Sequence, residues 1–480
     1  MHSIIQRVDA HPALVLVSFY AVSRVLFFAG GGHFDTAALS THWQILDPAI
    51  LESHPLRGLW NLHMQPPGLN ALVALTLQLR SPGAQTAVLW GCFAAATGFA
   101  TAMIYRLVAR LSASSGWALL AASVYVVSPE TLLFENYLFY PHLSAAMLAG
   151  FMLLGLEARR SGLSRMAGWA VALGVGLCLT YGLFHAVWFA VVLLLLFARS
   201  ARPVHVIALV GLGLVGSLYL KNFVQFGVVG PSSWTGMNLA LTTHSRATAE
   251  RLAEILGPGT IGSHTGYVPF AKLAEYPSGL VEAEPGPPEL SDPLRSDGRN
   301  NYNHTAYIRL GSLYAGEWAT IVRKAPALYL SGVVSASYGM FFRTSTSYGL
   351  LDENRAAIDG YVRVVDRLFG RLATEEPEVD THASFMERLR ARIVTVPWLL
   401  PILLVGCLLI GARRVLAAGP DLGWNTAVLF TLLWVFLVPL VVNASESERI
   451  RVGIGPLLFV LFFSETARRW QKRFSSTTPK

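Results

Sequence analysis

The chain of 480 residues is 53% hydrophobic and 14% charged, against about 25% charged in ordinary soluble domains. That deficit excludes a soluble globular protein and implies a polytopic integral membrane protein. The formal net charge of +8 does not point to nucleic acid, because the basic residues lie in short clusters between apolar runs, as topology signals do.

Ten runs are almost free of charge: 12–30, 84–105, 114–130, 142–158, 164–180, 184–199, 203–220, 396–411, 424–442 and 451–463. A helix needs about 17–25 apolar residues to cross a hydrocarbon layer about 30 Å thick, so several runs sit at the short end. The first follows Arg7, is long and has no clean small-x-small cleavage site, and is expected to be a retained signal anchor. Cys92, Cys178 and Cys407 all fall inside such runs and read as small buried hydrophobes.

Positive clusters at Arg106 and Arg110, at Arg159, Arg160 and Arg165, at Arg199 and Arg202, at Arg413 and Arg414, and at Arg468, Arg469, Lys472 and Arg473 are expected to face the cytoplasm. Residues 31–65, 129–141, 221–395 and 443–450 then lie outside, with a tight turn at 181–183. This threading requires that 66–80, which opens with Pro66-Pro67, inserts only halfway. It also requires that 325–342 makes no net crossing. Three regions result: an N-terminal membrane module 1–221 with an outer loop 31–65, an outer-face region 222–395, and C-terminal transmembrane helices 396–480. Within the middle region, 276–298 is rich in Pro, Gly and acids and is expected to be a mobile loop. Residues 353–395 alternate acids and arginines and are expected to form surface helices. The expected fold class is an all-α polytopic membrane protein with about ten to twelve transmembrane helices. Lys occurs only at 221, 272, 324, 472 and 480. That Arg bias hints at a GC-rich bacterial genome, and hence a bacterial inner membrane.

In the first outer loop, Leu39, Trp43, Leu46 and Ile50 recur at helical spacing, which predicts an interfacial helix. Asp47-Pro48 reads as an N-cap followed by Pro at the first helical position, opening a second short helix. Asp35 stands about five residues after the first run, where a carboxylate is partly desolvated. It reads either as a general base or as an N-cap for the interfacial helix. Arg24 is the one charge inside the first run. An intramembrane Arg is a functional candidate by default, or else it pairs with a neighbouring helix or reaches the interface. Glu135 lies in an apolar stretch and is costly there unless paired or used. Tyr137, Tyr140 and His142 surround it in sequence. His185 and Lys221 stand near outer ends of runs, and Lys221 opposes the positive-inside trend, as do Arg449 and Arg451 after Glu446 and Glu448. Arg is the natural bidentate partner of phosphate.

Asp35 after the first span, two surface helices over 36–60 and then Pro66-Pro67-Gly68-Leu69 resemble the GT-C superfamily of membrane glycosyltransferases, such as the protein O-mannosyltransferases and lipid A aminoarabinose transferases. Ser128-Pro129-Glu130 with Glu135-Asn136-Tyr137 looks like that family's second outer loop. Leu173-Gly174-Val175-Gly176-Leu177 with Tyr181-Gly182-Leu183-Phe184-His185 looks like its next helix pair. The resemblance covers roughly 1–221 well and the rest loosely. The sequence departs from the pattern at Gln65, where the family usually has His or Lys (His63 lies two positions earlier), and at Tyr181-Gly182, where Arg or Lys is common.

The resemblance implies a GT-C-like fold and transfer of a sugar from a polyprenyl-phosphate donor to a glycan, lipid or protein acceptor at the outer face, with inversion. In that reading Asp35 is the catalytic base, Glu135 a second catalytic candidate, and Lys221, Arg449 and Arg451 the cations for the lipid phosphate. Arg24, His33, His63, Tyr137, Tyr140 and His185 complete the candidate substrate contacts. No cofactor and no dedicated metal site are expected, and a divalent ion beside Asp35 is left open. The partners are then the lipid-linked sugar, its acceptor and membrane lipids. Two other readings remain: a transporter or flippase, whose signature is charge or broken helices near the midplane, and a non-catalytic scaffold of the same fold.

Overall fold

A computed structural model describes residues 11–257, 264–282, 285–369, 399–442 and 447–475. Among the described residues, each of the ten nearly charge-free runs is mainly helical. Among the described residues, seven helices are long and apolar enough to cross a membrane: Pro12–Ala29, Pro82–Ser112, Tyr140–Ser161, Arg202–Phe226, Leu399–Leu416, Leu422–Val442 and Ser447–Phe474. Ser115–Val127 and Pro129–Glu135 form an eighth candidate, bent by 53° where Ser128-Pro129 interrupts the helix. Ser164–Thr180 and Ala186–Phe197 are shorter. The second has 12 residues and spans only about 18 Å at 1.5 Å per residue. The helix at 66–80, expected to insert halfway, is Gly68–Leu77, too short to cross. The protein is thus an all-helical, multi-pass membrane protein.

The bundle packs around large aromatic residues whose polar tips are satisfied, as burial requires. The Trp188 indole donates to Thr431 Oγ1 at 3.2 Å and the Trp424 indole to the Met152 carbonyl at 2.9 Å. On the first helix only Arg24 and Phe27 are buried, while Leu14, Val17, Val22, Val25 and Leu26 are exposed. In a membrane this apolar face meets lipid.

The segment expected as the first outer loop forms three short helices rather than two: Ala38–Thr41, Pro48–Ser53 and Pro55–Trp60. Asp47 caps the second as expected, accepting from the Ala49 amide at 3.0 Å with Pro48 at the first position. The helix expected through Trp43 and Leu46 stops at Thr41, because tertiary partners take its groups. Trp43 stacks on Tyr302 at 4.6 Å, the Leu46 amide donates to Asn70 Oδ1 at 2.7 Å, and Asn70 Nδ2 donates to the Gln44 carbonyl at 2.9 Å. His54, with φ −139° and ψ 56°, leaves the helical region before Pro55, where the α conformation is disfavoured, and separates the second and third helices.

Residues later in the chain fasten this segment. Glu289 is buried, and one oxygen accepts from Arg57 Nε at 3.0 Å and Asn61 Nδ2 at 2.8 Å. Ser296 donates through its amide and hydroxyl to Asp47, both at 2.6 Å, and Arg295 donates to the Leu39 carbonyl at 2.7 Å. All three anchors belong to 276–298, the stretch expected to be a mobile loop. From the expected surface-helix stretch 353–395, Asp359–Phe369 and most of Asp352–Ala357 are described and helical. Residues 370–395 lie outside the described residues, as does Glu446.

Thr235–His244 packs on Ala306–Lys324 where Gly236 meets the Gly311 carbonyl too closely for any side chain. Below that contact His244 Nε2 lies 2.9 Å from Glu317 Oε2, His264 Nε2 lies 3.1 Å from Oε1, and the Thr265 hydroxyl donates to Oε1. Burial alone would raise the Glu317 pKa, but the bonds from His244, His264 and Thr265 outweigh it and hold the carboxyl at about 2. A depressed carboxyl stabilises the fold above its unfolded value of 4.5, and that stability is lost as pH falls towards the folded value. Thermal melts are therefore expected to drop between pH 4.5 and 2 in the wild type. Glu317→Gln is expected to melt lower at pH 7 and to show a smaller drop across that window.

Candidate functional site

Asp35 leaves the first helix through Gly30, Gly31 and Gly32 and is held by backbone pairing. Its amide donates to the Asn136 carbonyl at 2.8 Å and its carbonyl accepts from Leu138 at 3.2 Å, an isolated parallel bridge with Tyr137. Asp35 Oδ1 accepts the Ala37 amide at 2.7 Å, just ahead of the Ala38–Thr41 helix. The half-buried carboxylate thus closes a local turn while the bridge sets it beside residues 136–138.

Around the bridge stands an aromatic patch. The Tyr137 and Phe139 rings lie 5.4 and 4.2 Å from the ring of His42, and Phe139 packs on Tyr140 at 4.3 Å and on Tyr348 at 6.2 Å. The Arg449 guanidinium lies over Phe139 at 4.9 Å and over Tyr348 at 5.6 Å, and donates to the Tyr140 hydroxyl at 3.2 Å. Arg449 is buried, so its charge acts in a poorly screened environment. His42 is buried too, and its Nε2 has no hydrogen-bond partner among the described residues. Burial and the nearby charge of Arg449 push its pKa down to about 3, so the ring is neutral near pH 7. Sequence reasoning took His42 only with His33, His54 and His63, as histidines too irregularly spaced for a helical metal pair, although Asp35 and His42 flank one short helix at a spacing of seven.

Other candidates are placed differently. Arg24 and Glu135 form one buried ion pair. Arg24 Nε donates to Glu135 Oε1 at 3.1 Å, its Nη2 bonds Oε2, and the Tyr20 hydroxyl also donates to Oε1, at 3.0 Å. Arg451 donates to the carbonyls of Met340 and Arg343 and, at 3.2 Å, to Ser345 Oγ. It holds the turn at 343–345, whereas Arg449 reaches the aromatic patch. Lys221 donates to the carbonyls of Trp60 and Leu62 at 3.1 and 2.6 Å, closing the C-terminal end of the Pro55–Trp60 helix, where a cation suits the dipole.

His63 is fully buried. Its Nε2 faces the Asn303 carbonyl at 2.7 Å and so carries the proton, while Nδ1 accepts from Ser233 Oγ at 2.8 Å. Burial pushes the His63 pKa down to about 3. His33 is half-exposed, with Nε2 4.0 Å from Glu353. The His185 ring packs edge-on against Trp434 at 4.8 Å. Of the sequence candidates, Asp35, Tyr137, Tyr140 and Arg449 gather around the aromatic patch, and His33 adjoins Asp35 through the backbone.

The patch combines a carboxylate just beyond the C-terminal end of the first helix, a neutral imidazole, stacked aromatic rings and a buried guanidinium. Such a set can orient a ring-shaped substrate and stabilise an anion.

No protein-family model matches the chain, and no curated protein matches it. Among solved structures it is similar to the archaeal oligosaccharyltransferase AglB from Archaeoglobus fulgidus, solved in complex with an inhibitory peptide and a dolichol-phosphate. Identity is 13%, the TM-score is 0.41, and the match covers 98% of this chain and 52% of that one. The chain spans about half the length of that protein.

Proposed function

We propose that the protein is a GT-C-type membrane glycosyltransferase that moves a sugar from a polyprenyl-phosphate donor to an acceptor at the outer face of a bacterial inner membrane. The observation that carries the reading is the bridge between Asp35 and Tyr137. It brings a carboxylate and, through Phe139 and Tyr140, a buried Arg449 to one aromatic patch. The motif order around Asp35 supports it. In the reaction the acceptor oxygen or nitrogen attacks the anomeric carbon from the face opposite the phosphate. Asp35 takes the proton of the nucleophile. The bond from the anomeric carbon to the phosphate oxygen breaks with its electron pair, and the charge developing on the polyprenyl phosphate is stabilised by Arg449. The anomeric carbon inverts.

The full chain in lipid nanodiscs, supplied with radiolabelled polyprenyl-phosphate sugars and bacterial envelope acceptors, is expected to release polyprenyl phosphate and yield product of inverted configuration. Label that crosses a vesicle bilayer with its glycosyl-phosphate bond intact would establish a flippase and overturn the reading. Arg449→Lys tests the phosphate contact. Losing a planar guanidinium that bonds a phosphate removes about 1.5–3 kcal/mol, so kcat/KM is expected to fall about 10–100-fold. Unchanged kcat/KM in that variant would remove Arg449 from the role.

A further inference from the structure

We propose that Asn354 is a positioning residue for Asp35, acting from a part of the chain more than 300 residues away; the proposal rests on the function proposed above. Asn354 is buried and its amide reads the backbone like a neighbouring strand. Oδ1 accepts from the His33 amide at 3.0 Å, and Nδ2 donates to the His33 carbonyl at 2.9 Å. The same Nδ2 donates at 3.2 Å to the Asn136 carbonyl, which takes the Asp35 amide. One side chain therefore ties together both sides of the bridge that holds Asp35.

An isolated bridge has no ladder to support it, and a pair of short strands is marginal by itself. The segment carrying Asn354 supplies the missing support. The Ala357 carbonyl sits where a Cβ on Gly30 would come within 2.7 Å, so the segment lies directly against the chain leaving the first span. Leu351 is buried, and Tyr348 of the same segment stacks on Phe134 and Phe139 and lies under Arg449. The amide orientation is specific. Two carbonyls face Nδ2 and one N–H faces Oδ1. Asn354→Asp keeps the size and the acceptor but turns an oxygen towards the two carbonyls. Asn354→Ala removes all three bonds.

The test uses full-length protein in nanodiscs with two readouts, and Asn222→Ala as control; Asn222 is an equally buried amide that bonds the Gly230 carbonyl. In hydrogen exchange by mass spectrometry, peptides over 31–38 and 134–140 are expected to exchange about tenfold faster in both Asn354 variants and at the wild-type rate in the control. In transfer from a polyprenyl-phosphate sugar, kcat is expected to fall about 100-fold with KM within about twofold, as for a displaced catalytic group. Unchanged exchange in both variants overturns the proposal. So does faster exchange with unchanged kcat while Asp35→Asn is inactive. If Asp35→Asn is itself active, the function proposed above fails first, which the exchange readout distinguishes from failure of the clamp.

Discussion

Asp35→Asn is expected to lower turnover about 10²–10⁴-fold while expression and thermal stability stay at the wild-type level. The substitution keeps an oxygen acceptor for the Ala37 amide, and the bonds to Asn136 and Leu138 are made by backbone atoms that it does not touch. What it removes is the charge and the basicity. If the carboxylate serves only to close the turn at Ala37, Asn serves equally and the rate is unchanged. Release of polyprenyl phosphate from a labelled donor, measured beside a thermal melt, separates the two. A fully active Asp35→Asn enzyme ends the catalytic assignment. A chain inactive with every donor regardless of Asp35 favours the scaffold reading.

Arg24→Ala is expected to destabilise the protein by about 3–5 kcal/mol. The Glu135 carboxylate is completely buried and its charge is balanced by Arg24, so truncating the arginine leaves an anion in a low-dielectric interior. The pair also joins the first helix to Pro129–Glu135 and, through Arg24 Nη1, to the Val126 carbonyl at the end of the preceding helix. The double change Arg24→Met with Glu135→Leu removes both charges together and is expected to recover most of the loss. Thermal unfolding followed by size-exclusion in detergent measures all three proteins. A catalytic Glu135 predicts the opposite pattern, in which Glu135→Gln abolishes turnover and leaves the melting temperature unchanged.

Asp35, Arg24 and Glu135 illustrate how much of the candidate site could be read in advance. Asp35 stood out as a candidate because its position follows from local facts: the end of an apolar run and the segment before Pro66-Pro67. For Glu135 and Arg24 the sequence supplied the cost of burial but not the partner. Their separation of 111 positions has no periodicity that would announce a pair. Lys221 and Arg451 stood out equally well as cations on the outer side, yet both are turned onto backbone carbonyls. Asn354 carried no signal, since its role depends wholly on backbone groups supplied by residues 33 and 136.

The sequence by itself determined the helices, the Asp47 cap and the membrane class, because these depend on the transfer free energy of contiguous apolar residues and on neighbours within one turn. The tertiary structure alone decided where the helix through Trp43 stops, how the region after residue 276 fastens the first outer loop, and which charges neutralise one another. It also decided which cation meets the aromatic patch: Arg449 reaches Phe139 and Tyr140 while Arg451, two residues on, faces the other way. The physical reason is range. Hydrogen bonds and the contacts of ion pairs form only at about 3 Å, and distances of that size between remote segments are set only when the bundle packs.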